Sequence, residues 1–183
     1  MPTVVRIAAP LLFVVVTYCG WPLHPLIGYM SDAIPTSAWT ALMFATGAAN
    51  LACALWLRRE DQPRALAFWD LLLKLCLLPI FLETLLFAQW AGRYIFVDIG
   101  RFIMGFILMF PTFAAAYFLM LITSSYGFAA ARRAREQGLI SADVAKTYIK
   151  RHALPIADLI SAAKLYALLR DADSTHGEPP REA

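Results

Sequence analysis

Ionisable side chains inside long apolar stretches are the residues of this sequence that could do chemistry. Asp70 and Lys74 are four positions apart, so on a helix they face each other across one turn, with the acid on the favoured N-terminal side. Glu83 follows Lys74 by nine positions and therefore projects from the opposite face. An ionisable group inside a membrane normally faces protein or a water-filled cavity. These residues predict a polar site within a membrane-spanning helix.

Glu83 is the deepest of these groups, and three roles are open for it. Arg101 begins the next apolar stretch, and a hairpin centred near Ile95 would put Glu83 and Arg101 at depths about 9 Å apart from the helical rise. A long arginine side chain nearly closes that gap, so we favour a tie between two helices. The alternatives are a carboxylate that binds a proton or a cation, and a carboxyl that stays protonated without a function.

Two prolines are predicted to lie at one depth. The same hairpin geometry pairs Pro79 with Pro111 in neighbouring antiparallel helices. Each proline lacks an N–H and bends its helix. The two bends either line a small pocket near the middle of the membrane, one turn from Glu83, or nest against each other, which is the interpretation we favour.

The second apolar stretch carries one polar residue and a face of small residues. Asn50 lies at mid-depth, where its amide must find a hydrogen-bond partner, and we expect it to join two helices. Alanines at four-residue spacing let helix backbones approach closely in lipid, namely Ala45, Ala48, Ala49 and Ala52. This face favours contact with a neighbouring helix.

His152 and Asp158 are candidate polar residues of the cytoplasmic face. A gap of six positions does not align them on one helix, and the sequence gives no geometric reason for a Ser–His–Asp arrangement with Ser124 or Ser125. The chain has no P-loop, dinucleotide-binding glycine motif, zinc-protease motif or nucleophile elbow. No catalytic residue, cofactor or metal site is therefore predicted.

Four apolar stretches position these residues, at about 4–20, 38–57, 65–90 and 99–123. Each has about the length that a helix needs to cross a bilayer. The chain is 60% hydrophobic, with a mean hydropathy of +0.61, whereas soluble domains are about 45–50% apolar. We predict an all-α fold in which residues 1–137 form a four-helix transmembrane bundle whose last helix extends into the cytoplasm.

The distribution of basic residues predicts the orientation. Residues 58–64 carry three arginines, residues 20–37 carry no lysine or arginine, and the part after residue 123 is rich in both. Positive residues favour the cytoplasmic side, so both termini are predicted to be cytoplasmic. The formal charge of +3 does not imply binding to nucleic acid.

Residues 138–172 are predicted to form an amphipathic cytoplasmic helical segment. Apolar residues recur there at spacings of three and four among basic residues, Ser141 is suited to cap the start, and Pro155 should kink or split the helix. The segment lies on the anionic inner leaflet, packs under the bundle or docks on a partner protein. Residues 173–183 are polar and expected to be disordered.

The C-terminal part also resembles a known group of proteins. Residues 124–127, 133–135, 138–141 and 158–166, together with His152, are similar to the C-terminal end of a family of small four-span bacterial membrane proteins. The resemblance covers about the last quarter of the chain. It implies a bacterial cytoplasmic membrane protein and no particular activity.

The sequence is compatible with three functions. The favoured one is an accessory or interaction protein that binds a membrane partner, itself or the lipid bilayer. The second is a small transporter or channel component that uses the ionisable site around Glu83, with Asp70, Lys74 and Arg101 near the level of the two prolines. The third is a membrane enzyme acting on a lipid-like substrate, which would require a polar cavity open to the inner face near His152 and Asp158.

Overall fold

The computed structural model describes the chain except residues 1–2, 21–35, 58–61, 96–98, 153 and 177–183. The described part is all-helical and has no β-strand. Its helices are α1 (Thr3–Gly20), α2 (Thr36–Ala52), α3 (Pro63–Ile95), α4 (Ile99–Glu136), α5 (Ala142–His152) and α6 (Pro155–His176), and a π-helical turn, Cys53–Leu57, continues α2.

Three helices are long and apolar enough to cross a membrane. They contain the stretches Ser37–Trp56, Pro63–Trp90 and Gly105–Glu136, whereas the apolar part of α1, Ile7–Gly20, is shorter. Large apolar side chains such as Leu86 (64% exposed) and Phe110 (67% exposed) point outward from these helices. An outward-facing apolar surface of this kind suits hydrocarbon rather than water.

Two apolar clusters hold the helices together. The first joins the four helices α1, α2, α3 and α4 and includes Phe13, Met43, Leu77, Ile80, Leu119 and Ile122. The second joins α3 and α4 to the two C-terminal helices and includes Leu66, Leu73, Tyr126, Ala145, Leu165 and Leu169. Because the second cluster contains residues of α5 and α6, these helices pack on the other helices of the chain. Packing under the bundle was one of the three predicted placements.

α1 is fixed to its neighbours by two hydrogen bonds that supplement its apolar contacts. The indole Nε1 of Trp39 in α2 donates to the carbonyl oxygen of Val16 at 2.9 Å. The hydroxyl of Tyr18 donates to the carbonyl oxygen of Cys76 in α3 at 2.5 Å. The acceptors are main-chain carbonyls, so α1 is placed by backbone positions as well as by side-chain packing.

Most of the alanine face of α2 is exposed in the described part of the chain. Ala45, Ala48 and Ala49 are exposed, and α2 instead buries the face that carries Met43 and Asn50. Leaving the Asn50 amide in lipid would be unfavourable because no hydrogen-bond partner is available there. The polar residue therefore sets the rotation of α2, and the small residues face outward.

Local signals set the ends of the C-terminal helices. Gly138 has φ +73°, and the N–H of Leu139 donates to the carbonyl of Ala134 at 2.8 Å, the pattern of a Schellman cap that ends α4. Ser141 caps α5, since its Oγ accepts from the N–H of Val144 at 3.4 Å. The cap at Ser141 is the one that the sequence predicted.

Pro155 is the first residue of α6, a position that tolerates its missing N–H, so the predicted split between two helices is confirmed. α6 then continues to His176. The prediction of a disordered tail starting at residue 173 was therefore wrong for residues 173–176, because the helix continues through polar residues. Residues 177–183 lie outside the described part.

Candidate functional site

A cluster of charged side chains is buried where α6 packs against α3. The Nζ atom of Lys74 lies 2.7 Å from Oδ1 of Asp70 and 2.6 Å from Oδ1 of Asp158. The exposed fractions of the Lys74, Asp70 and Asp158 side chains are 3%, 0% and 4%. The Asp70–Lys74 pair forms as the spacing predicts. The second carboxylate comes from a different helix and was not expected there.

His152 and Ser124 complete this cluster. The Nδ1 atom of His152 lies 2.7 Å from Oδ1 of Asp158 and 3.0 Å from Nζ of Lys74. The hydroxyl of Ser124 in α4 donates to the same Asp158 oxygen at 3.0 Å. The imidazole is fully buried, and its ring meets that of Phe128 edge-on at 5.9 Å between centroids. Five side chains from four helices thus share one buried polar site.

The prediction that His152 and Asp158 do not align was wrong. It applied one helical period to both residues, but α5 ends at His152 and α6 begins at Pro155. Because the two residues lie on separate helices, the spacing along one helix does not apply, and the two side chains meet. Ser124 also lies beside these residues, because its hydroxyl donates to Asp158, a proximity that sequence spacing did not indicate.

The grouping of Ser124, His152 and Asp158 is not a catalytic triad. In a triad the serine hydroxyl donates to the histidine, and the carboxylate orients the opposite ring nitrogen. Here the Ser124 hydroxyl donates directly to Asp158, and the other candidate, Ser125, donates to the carbonyl of Ile122 at 2.7 Å. The arrangement therefore positions Asp158 and does not activate a nucleophile.

One ring nitrogen of His152 stands between a cation and an anion. A neutral imidazole nitrogen carries either a hydrogen or a lone pair. Nδ1 can therefore donate to Asp158 or accept from Lys74, but it cannot do both at once. The histidine has two hydrogen-bonding states that differ in which charged partner it stabilises.

The formal charges of the cluster do not balance. With both carboxylates ionised, the lysine charged and the imidazole neutral, they would sum to −1. Burying an uncompensated charge in a low-dielectric interior is unfavourable by several kcal/mol, at least about 3 when one partner of a buried pair is missing. One bound proton, or one cationic group of a ligand, would neutralise the site.

Gly127 in α4 allows three helices to meet at this cluster. A Cβ added at Gly127 would lie 2.8 Å from Oδ2 of Asp70 and 2.8 Å from Nε2 of His152. Real side chains do not approach a Cβ so closely, so only glycine fits between α3 and α5. The sequence contained this signal as a glycine inside a long helix, but it did not indicate what the glycine packs against.

A cavity of about 470 Å³ lies beside the cluster, a size typical of small-molecule sites. It runs between α3 and α4, and its walls are mainly apolar, with residues such as Phe81, Leu85, Phe113 and Met120. Lys74 and Asp158 also line it. The cavity therefore combines apolar walls with a charged pair that belongs to the buried cluster.

Asn50 makes the helix–helix contact that was predicted for it. The hydroxyl of Tyr126 in α4 donates to Oδ1 of Asn50 in α2 at 3.0 Å, and both side chains are fully buried. Because a hydrogen bond between two membrane helices replaces bonds that lipid cannot supply, this pair fixes α2 against α4.

Of the predicted ionisable site, Asp70 and Lys74 belong to the charge cluster, and Glu83 does not. Glu83 is half-buried in α3. The side chain of Arg101 lies outside the described part of the chain, so the tie between these two residues stays a prediction. Pro79 and Pro111 are both exposed, and neither lines the cavity beside the cluster, although Pro111 lines a second groove between α2 and α4.

The fold and the site together define an all-helical protein with three helices long and apolar enough to span a membrane, and with a buried charge cluster beside an apolar cavity. Within the described ranges, no group of three or more histidine, cysteine or acidic side chains has the geometry of a metal site. No protein-family model, curated protein or solved structure matches the chain.

Proposed function

We propose that this protein is a non-enzymatic integral membrane protein that holds one amphipathic, lipid-class molecule in the cavity between α3 and α4. The observation that carries the proposal is the cavity's composition, because apolar walls adjoin the buried Lys74–Asp158 pair. An apolar chain would lie against the leucine and phenylalanine side chains, and its polar end would reach the charged pair. Of the three binding partners considered for an accessory protein, this proposal selects lipid.

The charge of the cluster selects the polar end of the ligand. With Lys74 charged and His152 neutral, the site carries a net charge of −1. A head group that is cationic or that donates hydrogen bonds, such as an amine, would compensate this charge at Asp158. An anionic head group would instead add a second uncompensated negative charge. The proposed ligand class is therefore a lipid or long-chain compound with an amine-like end.

Two neighbouring leucines provide a direct test of this proposal. Leu85 lines the cavity, whereas Leu86 does not, and both side chains are more than half exposed, at 56% and 64%. We expect Leu85→Trp to fill the cavity and abolish a discrete ligand adduct, while Leu86→Trp keeps it. Native mass spectrometry of protein extracted gently from its own membrane measures the adduct.

The two variants separate ligand binding from general lipid adhesion. An adduct that is absent from the wild type, or that survives equally in both variants, would contradict the proposal. A stoichiometric protein partner or a defined homo-oligomer without a small molecule would support the interaction form of the accessory role instead.

The same proposal includes four membrane spans with both termini in the bacterial cytoplasm. Support for a fourth span is the packing of α1, whose residues Val16 and Tyr18 are hydrogen-bonded to α2 and α3. Support for the orientation is the basic content of residues 58–64 and of the part after residue 123. The charge cluster would then lie near the inner membrane face.

Reporter fusions measure this topology. A reporter fused after Arg170 is expected to be active on the cytoplasmic side, and one inserted at residues 28–32 is expected to be active outside, because the basic segments stay inside. The reverse pattern would overturn the orientation. A reporter at the N-terminus that reads external, with the other two unchanged, would exclude the first span.

Transport is the second candidate function, and one observation favours it. The buried cluster brings two carboxylates, a lysine and a histidine into contact, a grouping of ionisable residues that marks proton pathways in membrane transporters. In this form the ionisable site consists of Asp70, Lys74, His152 and Asp158 and does not involve Glu83. Ligand-dependent proton movement in liposomes containing the purified protein would distinguish a carrier from a binding protein.

A further inference from the structure

A second pocket lies away from the charge cluster, at the end of α4. Its volume is about 520 Å³, and it shares no lining residue with the cavity between α3 and α4. Two kinds of side chain meet there. Leu55 and Trp56 come from the π-helical turn after α2, and Arg132 and Arg133 come from the basic end of α4.

The apolar side of this pocket is exposed at the end of a membrane-spanning helix. Trp56 is 75% exposed, and Leu55 is 45% exposed. Tryptophan is enriched at the level of lipid head groups, where its ring contacts apolar and polar groups together. π-Helical turns also occur frequently at functional sites. Trp56 therefore indicates that the pocket lies at the membrane interface.

The basic side of the pocket has the chemistry of a phosphate site. A guanidinium group presents paired N–H donors that match phosphate oxygens. Arg132 is 78% exposed, and its Nε lies 2.9 Å from Oε1 of Glu136. An exposed ion pair of this kind contributes little, so Arg132 can exchange that partner for a phosphate. With Glu136 counted, the two arginines leave the pocket with a net charge of +1.

We propose that this pocket binds the head group of an anionic phospholipid. A phosphate would contact Arg132 and Arg133, and the adjoining glycerol and acyl part would contact Leu55 and Trp56. Basic pockets between transmembrane helices on the cytoplasmic side are suited to such head groups. A free phosphate ion would use only the arginines and leave the apolar half of the pocket in water, which is why we assign the lipid.

Two arginines of the same helix provide matched variants. Arg133 lines the pocket, and Arg135, two positions further, is exposed and does not line it. Arg133→Gln and Arg135→Gln remove the same charge from the same end of α4. We expect Arg133→Gln to raise the Kd for phosphatidylglycerol about tenfold, which is the loss of roughly one charge-assisted hydrogen bond. Arg135→Gln should leave this Kd within about twofold.

The measurement is titration of the full-length protein in zwitterionic micelles with phosphatidylglycerol or phosphatidylcholine, followed by native mass spectrometry. Equal weakening by both arginine variants would mean general electrostatic attraction and would overturn the proposal, as would equal binding of the two lipids. Displacement of the lipid by millimolar inorganic phosphate would overturn the assignment to a lipid.

A further variant keeps the test decisive if Arg133→Gln fails to fold. Trp56→Ala removes an exposed side chain and should leave the fold intact. It is expected to weaken phosphatidylglycerol binding while leaving the arginines in place. Unchanged lipid binding in Trp56→Ala would contradict the proposal. The lipid-amine cavity between α3 and α4 is unaffected by either variant, so the two sites are tested independently.

Discussion

Lys74→Met is expected to lower the free energy of unfolding by about 3–5 kcal/mol, the range for removing one partner of a buried ion pair. Methionine keeps an unbranched apolar chain, so the main change is the loss of the ammonium. Asp70 and Asp158 would then be two buried carboxylates without their shared cation. Reversible unfolding in mixed micelles, followed by circular dichroism, measures the effect.

Two further variants show whether the loss comes from charge. Lys146→Met removes an exposed lysine, 68% accessible and 3.9 Å from Asp143, and should change stability by less than about 1 kcal/mol. Lys74→Met combined with Asp158→Asn removes one charge of each sign and should recover part of the lost stability. A Lys74→Met protein as stable as the wild type would mean that the cluster does not hold α6 in place.

Gly127→Ala is expected to destabilise the protein by about 1–3 kcal/mol through overpacking. The new methyl group would meet Asp70 and His152 at 2.8 Å, so these side chains, and with them α3 and α5, are pushed away from α4. The same displacement should expose the segment between α5 and α6 to protease. Unfolding in micelles and limited proteolysis of the intact protein measure the two consequences.

Gly92→Ala is the matched control for this change. Gly92 also lies inside a helix, but a Cβ added there has no neighbour within 4 Å among the residues that the structure describes. Alanine favours a helix over glycine by up to about 1 kcal/mol, so this variant should be neutral or slightly more stable. Equal stability of the two variants would show that the packing at Gly127 is not tight.

Local sequence rules predicted those parts of the site that lie on one helix. The Asp70–Lys74 pair follows from four-residue spacing, and the need of Asn50 for a partner follows from its depth. Ser141 and Pro155 mark helix ends for reasons that concern only neighbouring residues. These features do not depend on how the helices pack.

The rest of the site depends on how α5 and α6 fold back onto the bundle. Asp158 reaches Lys74 only because α6 packs on α3. The break before Pro155 places His152 and Asp158 on separate helices. The sequence showed the proline, but helical periodicity cannot be carried across the break it causes. The importance of Gly127 was missed because its neighbours come from residues 57 positions before it and 25 after it.

The distribution of the cluster over the chain also has a consequence for biosynthesis. α3 carries Asp70 and Lys74 one turn apart, so these two charges can pair within the helix before any later helix is made. Asp158 is translated after the three long apolar helices and reaches Lys74 from the side of the C-terminal helices. We therefore expect the Asp70–Lys74 pair to enter the membrane first and Asp158 to join it only after residue 158 has been synthesised.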